Sequence, residues 1–365
     1  MALNNKKILI LYTSIGLGHK SIAENIGFYL EREGYGVSLF DAHKIQDSAL
    51  VNGGGKVYPW LLKKFPFVWD WLYNTQWFIS LALPFRTILA SFNYSHILKK
   101  INEIKPDLII STHNTSSAVI SYLKSKQLYQ GKFGIAFSDF HLHRFWLFNN
   151  ADFYLANIKE QKQEMESLGI SPSKIFVCGM TLKPKLEVEK VDIRSKLNIP
   201  SNHKIILFSS GSQGIGLNEE ILKQLTTIEN ATVIAVCGKN QFLAEQYNQR
   251  FGPKVKAFGF YQPMEQLYAI ADIFVGKPGG LSTAEALSWH LPMFIFYVLP
   301  GGEQFNFNYL LKHQLVMAPT KNVIVEVSQE LTSGEFRKSL DANPYLPEIL
   351  SQPQALITAV KSYLY

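Results

Sequence analysis

Only two cysteines occur in 365 residues, Cys178 and Cys237, and both lie inside apolar, strand-like runs. That count excludes a disulfide framework. Core packing is the expectation for both thiols, and a reducing cytoplasm is the compartment that fits. Charge is also sparse, with 18% charged against 47% hydrophobic residues, which permits a large core and excludes wholesale disorder. No run nears the ~20 apolar residues of a membrane-spanning helix. The best candidate, FISLALPFRTILASF, is interrupted by Pro84 and Arg86. The N-terminal MALNNKKILILYTS has a short apolar run that ends in a glycine loop, so it reads as a first strand and not as a signal peptide. Short-period repeats and low-complexity tracts are missing. So is G-x-x-x-x-G-K-[ST], which argues against a P-loop NTPase.

What the chain does have is a basic balance and a steady alternation. The net charge is +7 and the pI is about 9.1, which favours phosphates as partners, on a nucleotide, a nucleic acid or an anionic lipid. Apolar strand runs alternate with helical patterns: KILILYTS, GVSLFDA, PDLIISTH, GKFGIAFSDF, DFYLAN and KIFVCGM, then KIILFSSGSQG, ATVIAVCGKN, VKAFGF, ADIFVGK and LPMFIFYV. After the first strand, Ile22, Ile26, Tyr29 and Leu30 share one helical face. Continuous apolar strands joined by helices predict parallel sheets covered on both faces. A charged, proline-marked stretch, KPKLEVEKVDIRSKLNIPSNHK, divides two such series. The fold class is therefore α/β with two doubly wound, Rossmann-like halves. The domains are 1–183 and 184–350, and a C-terminal helix in 351–365 packs back on the first half. Ligands of such sheets bind beyond the carboxyl ends of the strands. The loops to watch are 14–20, 111–117, 138–146, 209–216, 258–262 and 276–285.

Three of these loops are glycine-rich. GLGHKS carries Gly16 and Gly18, but Ser21 stands at the third position of the dinucleotide fingerprint. SSGSQGIG repeats the device at the head of the second half with Gly211, Ser212, Gln213 and Gly214. KPGGLS, with Gly279, Gly280, Leu281 and Ser282, follows a strand and opens a helix that carries Glu285. Glycine turns at helix starts aim backbone N–H groups and the positive dipole end at an anion. A carboxylate one turn further in suits the two hydroxyls of a ribose.

Together these stretches resemble a known family. GLGH at 16–19, IISTH at 109–113, SDFHLHRFWLFNNADFYLA at 138–156, GISPSKIFVCGMTLKP at 169–184, KPGGLSTAEAL and PGGEQFN are similar to the glycosyltransferases of the monogalactosyldiacylglycerol synthase and processive diacylglycerol glucosyltransferase group. These are relatives of the enzyme that makes lipid II. The resemblance spans nearly the whole chain. It departs at GMTLK, 179–183, and at PGGEQ, where the family's glutamine is absent at 302. The resemblance implies the GT-B fold, two Rossmann-like domains facing across a cleft. It implies an acceptor- and membrane-binding first domain and a UDP-sugar-binding second domain. Gly18, Gly211–Gly214 and Gly279–Ser282 would hold the UDP phosphates, Glu285 the ribose, and the Phe260 backbone the uracil. Glu303 and Gln304 would meet the sugar hydroxyls.

His19 would face the acceptor from a helix start, where the dipole favours a neutral ring, and would serve as general base. Asp139 is the rival for that role, or the group that orients a histidine. His113, His141 and Trp146 would lie on the acceptor side. Three histidines and an aspartate raise a zinc reading, but no cysteine pair or H-E-x-x-H accompanies them, so no metal is expected. D-x-D is missing as well, so helix ends and amides would stabilise the leaving UDP. Residues 57–94 hold four of the six tryptophans, Trp60, Trp69, Trp71 and Trp77, with Lys63, Lys64 and Arg86. That block reads as an amphipathic element dipping into an anionic membrane surface, with a buried helical pair as the plain alternative. Single-stranded nucleic acid is the weaker reading of the same patch, without a supporting signature.

The expected reaction is transfer of a hexose from a UDP-sugar to a diacylglycerol-type lipid, inverting, with no cofactor and no metal. It would run in the cytoplasm, at the inner face of the cell membrane. A UDP-sugar epimerase of similar fold and a non-catalytic UDP-sugar-binding protein are the alternatives.

Overall fold

The computed structural model describes residues 5–14, 17–42, 71, 75–185, 190–212, 214–318 and 322–365, with backbone only at 76–80, 82, 93 and 190–192. The described chain divides into two compact units. The first comprises Met1–Lys183, Pro300–Gly302 and Ser351–Tyr365, and the second Pro184–Leu299 and Glu303–Leu350.

The first unit is built on strands β1 (Lys7–Tyr12), β2 (Gly36–Asp41), β3 (Leu108–Ser111), β4 (Lys132–Ala136), β5 (Phe153–Ala156) and β6 (Ile175–Val177). All pair in parallel, in the order β2-β1-β3-β4-β5-β6. Residues 8–11 of β1 are fully buried, the mark of a strand covered on both faces. The helices are α1 (Leu17–Arg32), α2 (Gln76–Asn93), α3 (Ser95–Ile104), α4 (Asn114–Ser125) and α5 (Lys159–Ser167). Ile22, Ile26 and Leu30 bury the inner face of α1, as their spacing predicts. Leu9, Leu11, Ile109, Phe133 and Ile135 form the centre of the core.

The second unit carries β7 (Lys204–Ser209), β8 (Ala231–Val236), β9 (Val255–Phe258), β10 (Ile273–Gly276) and β11 (Met293–Ile295), again all parallel, in the order β11-β10-β7-β8-β9. Ile206, Phe208, Val233, Ala235 and Val275 anchor its core. Its helices are α6 (Lys190–Lys196), α7 (Glu219–Leu225), α8 (Gln241–Phe251), α9 (Glu265–Ile270), α10 (Gly280–Ser288), α11 (Gly302–Lys312), α12 (Val323–Ser333), α13 (Glu335–Asp341) and α14 (Leu346–Ile349). The last helix, α15 (Pro353–Leu364), belongs to the first unit, where it packs on α1, β5 and β6.

Each strand order reverses once. The chain steps outward from β1 to β2, then crosses back so that β3 lies on the other side of β1. In the second sheet the same reversal separates β7 from β10. Loops that leave the carboxyl ends of two such neighbours diverge to opposite faces and leave a crevice between them. This places the start of α1 beside 112–113 in one unit, and Gly211 beside Lys277 in the other.

Pro84, read above as an interruption, lies inside α2 and does not end it. A mid-helix proline removes one backbone hydrogen bond and costs about 3 kcal/mol in isolation. Packing of α2 along α4 and the anchoring of Arg86, described below, hold the helix through it. Among the described residues, no helix is long and apolar enough to cross a membrane.

Candidate functional site

In the first unit the crevice between β1 and β3 gathers titratable side chains. His19 sits in the first turn of α1, and its Nδ1 lies 2.6 Å from the Thr112 carbonyl oxygen. A carbonyl only accepts, so Nδ1 carries the proton and the lone pair of a neutral ring falls on Nε2. The Thr112 hydroxyl donates in return to the His19 carbonyl at 2.9 Å. Burial pushes the His19 pKa below its usual value, against an opposing pull from the Asp139 carboxylate and the Thr112 hydrogen bond. Desolvation is the cause that favours the neutral imidazole here.

The His113 ring meets the His19 ring edge-on at 4.6 Å. His113 also caps α4, its Nδ1 accepting from the Thr115 N–H at 3.2 Å. Trp146 closes the group, 6.1 Å from the His19 ring and 6.3 Å from that of His113. Trp146 ends a 3-10 turn, Arg144–Trp146, that leaves the loop after β4.

Asp139 is held in place through its backbone. The buried amides of Asn157 and Gln161 donate to its carbonyl at 2.9 and 2.8 Å. Gln161 also donates to the His141 carbonyl, and Asn157 to that of Phe137. The Asp139 carboxylate accepts from Ser138 Oγ at 3.0 Å. The structure therefore brings His19, His113 and Trp146 into ring contact, with the Asp139 charge acting on His19. His141 lies in the same loop as Asp139, half-buried. Gly18 has open space where a Cβ would stand, so packing does not demand glycine there.

In the second unit the loops after β7 and β8 interlock. A Cβ on Gly214 would lie 2.4 Å from the Cys237 carbonyl oxygen, and one on Gly238 would lie 2.4 Å from that of Ser212. Both have positive φ, +63° and +60°, so only glycine fits at either position. The Lys239 N–H donates to the Ser212 carbonyl and fixes the pair of loops. Across the β7–β10 crevice, Gly279 is the N-cap of α10, and Gly280, Leu281 and Ser282 form its first turn. The hydroxyls of Ser210 and Thr283 are buried without a hydrogen-bond partner in the described structure, one at each loop. Unsatisfied buried polar groups are costly, and their pairing at this crevice suits a site completed by a polar ligand.

Glu285, one turn into α10, accepts from the Tyr268 hydroxyl at 3.1 Å. Burial pushes its carboxyl up to about 7, opposed by the Tyr268 bond and reinforced by Glu265. Glu303 is already engaged: Lys277 Nζ lies 2.7 Å away, with both side chains only 15% exposed, and the Leu299 N–H donates to the second oxygen. Gln304 is exposed and bonds along its own helix to Asn308. Phe260 is 52% exposed, two residues past β9. Trp60, Trp69 and Gln213 lie outside the described residues, Trp77 falls in the first turn of α2, and Trp71 is exposed.

Sequence reading missed Thr112, Asn157, Gln161, Tyr268 and Lys277. Lys277 had a signal, as the first residue of KPGGLS. It approaches the neighbouring loop closely, with Cε 3.5 Å from where a Gly211 Cβ would stand. The others act through partners distant in sequence and carry no local mark.

Two family models match the chain. Monogalactosyldiacylglycerol (MGDG) synthase covers residues 19–182, and the glycosyltransferase family 28 C-terminal domain covers 205–342. A processive diacylglycerol beta-glucosyltransferase of Bacillus pumilus is 25% identical, over 98% of both chains. Among solved structures, a Streptomyces sp. SF2575 glycosyltransferase superposes with a TM-score of 0.65 at 10% identity, covering 98% of this chain and 100% of its own. UDP-GlcNAc 2-epimerase from Neisseria meningitidis, bound to UDP-GlcNAc, reaches 0.60 at 12% identity, covering 98% and 100%. At such identities the superpositions show the fold, which is GT-B. With a synthase-type first half and a family 28 second half, the chain belongs to the GT-B glycosyltransferases of the monogalactosyldiacylglycerol synthase and family 28 group.

Proposed function

We propose that this protein transfers a hexose from a UDP-sugar to the free hydroxyl of a diacylglycerol-type lipid, with inversion and without a resident metal. The observation that carries the reading is the tautomer of His19. Its Nδ1–H is committed to the Thr112 carbonyl, so Nε2 is the basic atom, in the unit that matches the synthase model. The second unit holds the donor. The glycine loop after β7 and the start of α10 take the diphosphate, with Ser210, Thr283 and Lys277 as further donors, and Glu285 takes the ribose.

In the reaction the lipid hydroxyl gives its proton to His19 Nε2 as its oxygen bonds to the anomeric carbon. The bond from that carbon to the diphosphate oxygen breaks, and the electron pair leaves with UDP. The N–H donors at the two glycine loops meet that developing charge. Asp139, whose negative charge favours the imidazolium, stabilises the ring once it is protonated.

The test is to incubate the purified chain with diacylglycerol vesicles and a panel of labelled UDP-sugars, with and without a chelator, and to resolve the lipids. Labelled glycolipid that forms regardless of chelator supports the reading. Epimerised UDP-sugar with no labelled lipid overturns it in favour of the epimerase, whose fold is shared.

A further inference from the structure

We propose that the cavity between α2 and α4 is a slot for one acyl chain of the acceptor lipid. This rests on the acceptor reading above and names where the lipid's tail is held. The cavity measures ≈ 310 Å³, and its walls are Phe85, Leu89 and Ala90 of α2, Ala118 and Val119 of α4, and Phe145. Ala90 and Ala118 face each other's helices where larger residues would fill the space.

The two ends of the lining differ in chemistry. Asn114 and Thr115 also line it, in the first turn of α4, directly after His113. Phe145 directly precedes Trp146, which packs near His19 and His113. Two stretches of the lining are thus next in sequence to the histidine cluster. On the α2 side of the lining, Phe85 and Leu89 are 57% and 60% exposed. They belong to a single exposed apolar stripe, Leu81, Phe85, Ile88, Leu89 and Phe92. A lining that is mostly apolar, with polar Asn114 and Thr115 next to His113, matches a molecule with a hydroxyl head and a hydrocarbon tail.

The charged residue in the lining does not contradict this. Arg86 donates to the carbonyls of Phe145 and Leu147 at 2.8 and 2.7 Å, and its guanidinium lies 3.9 Å from the centre of the Phe148 ring. Both terminal nitrogens donate to backbone carbonyls, so Arg86 ties α2 to the turn that carries Phe145. An acyl chain asks nothing more of such a wall than area, because burial of methylenes is favourable without a directional partner.

Two measurements test the slot. In the first, the intact protein is irradiated with a diacylglycerol that bears a diazirine in one acyl chain, in mixed phosphatidylcholine–phosphatidylglycerol vesicles, and the labelled peptides are mapped. Labelling within 85–90 or 114–119 is the expected result; labelling confined to other segments overturns the proposal. In the second, Ala118→Phe fills the bore. The KM for a long-chain diacylglycerol is expected to rise tenfold or more, with the KM for a short-chain, water-soluble diacylglycerol and the UDP affinity unchanged. Equal effects on both acceptors, or none on either, overturn it. If Ala118→Phe does not fold, the wild-type labelling decides alone. If the wild type glycosylates no lipid, the acceptor reading fails, and the labelling pattern still judges the slot separately.

Discussion

His19 holds one proton on Nδ1 and one lone pair on Nε2, and the pH at which that lone pair is lost is set by burial and by Asp139. Its pKa is depressed, so the ring stays neutral as pH falls through its ordinary value, and with His19 as the proposed base the acid limb of kcat is expected below that value. Asp139→Asn removes a charge that favours the imidazolium, so the limb moves to still lower pH while transfer continues. With His19 as the proposed base, His19→Ala is expected to lower kcat by ~10²–10⁴. If Asp139→Asn instead abolishes transfer at every pH, the two roles are exchanged.

Glu285 runs the other way. Its folded-state pKa is raised, so between about 4.5 and about 7 the folded protein binds more protons than the unfolded chain, and stability falls as pH rises through that window. Glu285→Gln is therefore expected to stabilise the protein at pH 8, by on the order of 2 kcal/mol, and to leave it unchanged at pH 4. It also weakens UDP binding if the carboxylate holds the ribose. Thermal melts at both pH values and calorimetry with UDP read the two effects. Both residues were legible in the sequence, since each follows a glycine turn at a helix start. Their partners were not: Thr112 is 93 positions from His19, and strand order is what places β3 beside β1.

At the scale of the element, α2 is the described part of the block 57–94, for which periodicity left a membrane-contacting element and a buried helical pair open. Had it been half of a buried helical pair, Leu81, Phe85, Ile88, Leu89 and Phe92 would be covered, yet each is at least half exposed in the structure. Such a contiguous stripe suits an interface with lipid or protein. Leu81→Asp with Phe92→Asp is expected to abolish co-sedimentation with anionic vesicles while UDP binding persists. Unchanged sedimentation would return the stripe to a different partner. Arg86 links the same helix to the turn that carries Trp146. Arg86→Ala leaves two carbonyls without their donor and frees that turn, so kcat should fall more than tenfold with little change in the donor's KM. Arg86→Lys cannot reproduce the two-pronged contact and is expected to restore only part of the rate. The sequence read Pro84 and Arg86 as interruptions, because the contacts that carry α2 through them come from α4 and from 145–147, far along the chain.

For the whole molecule, alternation of strand and helix was enough to read two doubly wound halves, because β1 and β7 are unbroken apolar runs that only a doubly covered parallel sheet requires. Where each order reverses was not legible, yet that reversal sets which loops become sites. The chain also closes on itself. After the second unit, α15 returns to the first, where Leu356, Ile357, Ala359 and Val360 are buried and Tyr363 stacks on Phe153 at 4.9 Å. Each of the larger aliphatic side chains contributes roughly 1.5–3 kcal/mol on burial. Ending the chain after Leu350 strips this cover from α1, β5 and β6 but touches nothing in the second sheet. The first unit is then expected to melt about 10 °C or more below its normal transition, since a unit of this size shifts by about 2–4 °C per kcal/mol. UDP affinity should survive the truncation, and lipid transfer should not. Loss of UDP binding together with transfer would mean that the two units depend on each other for folding, and that the donor site is not carried by the second unit alone.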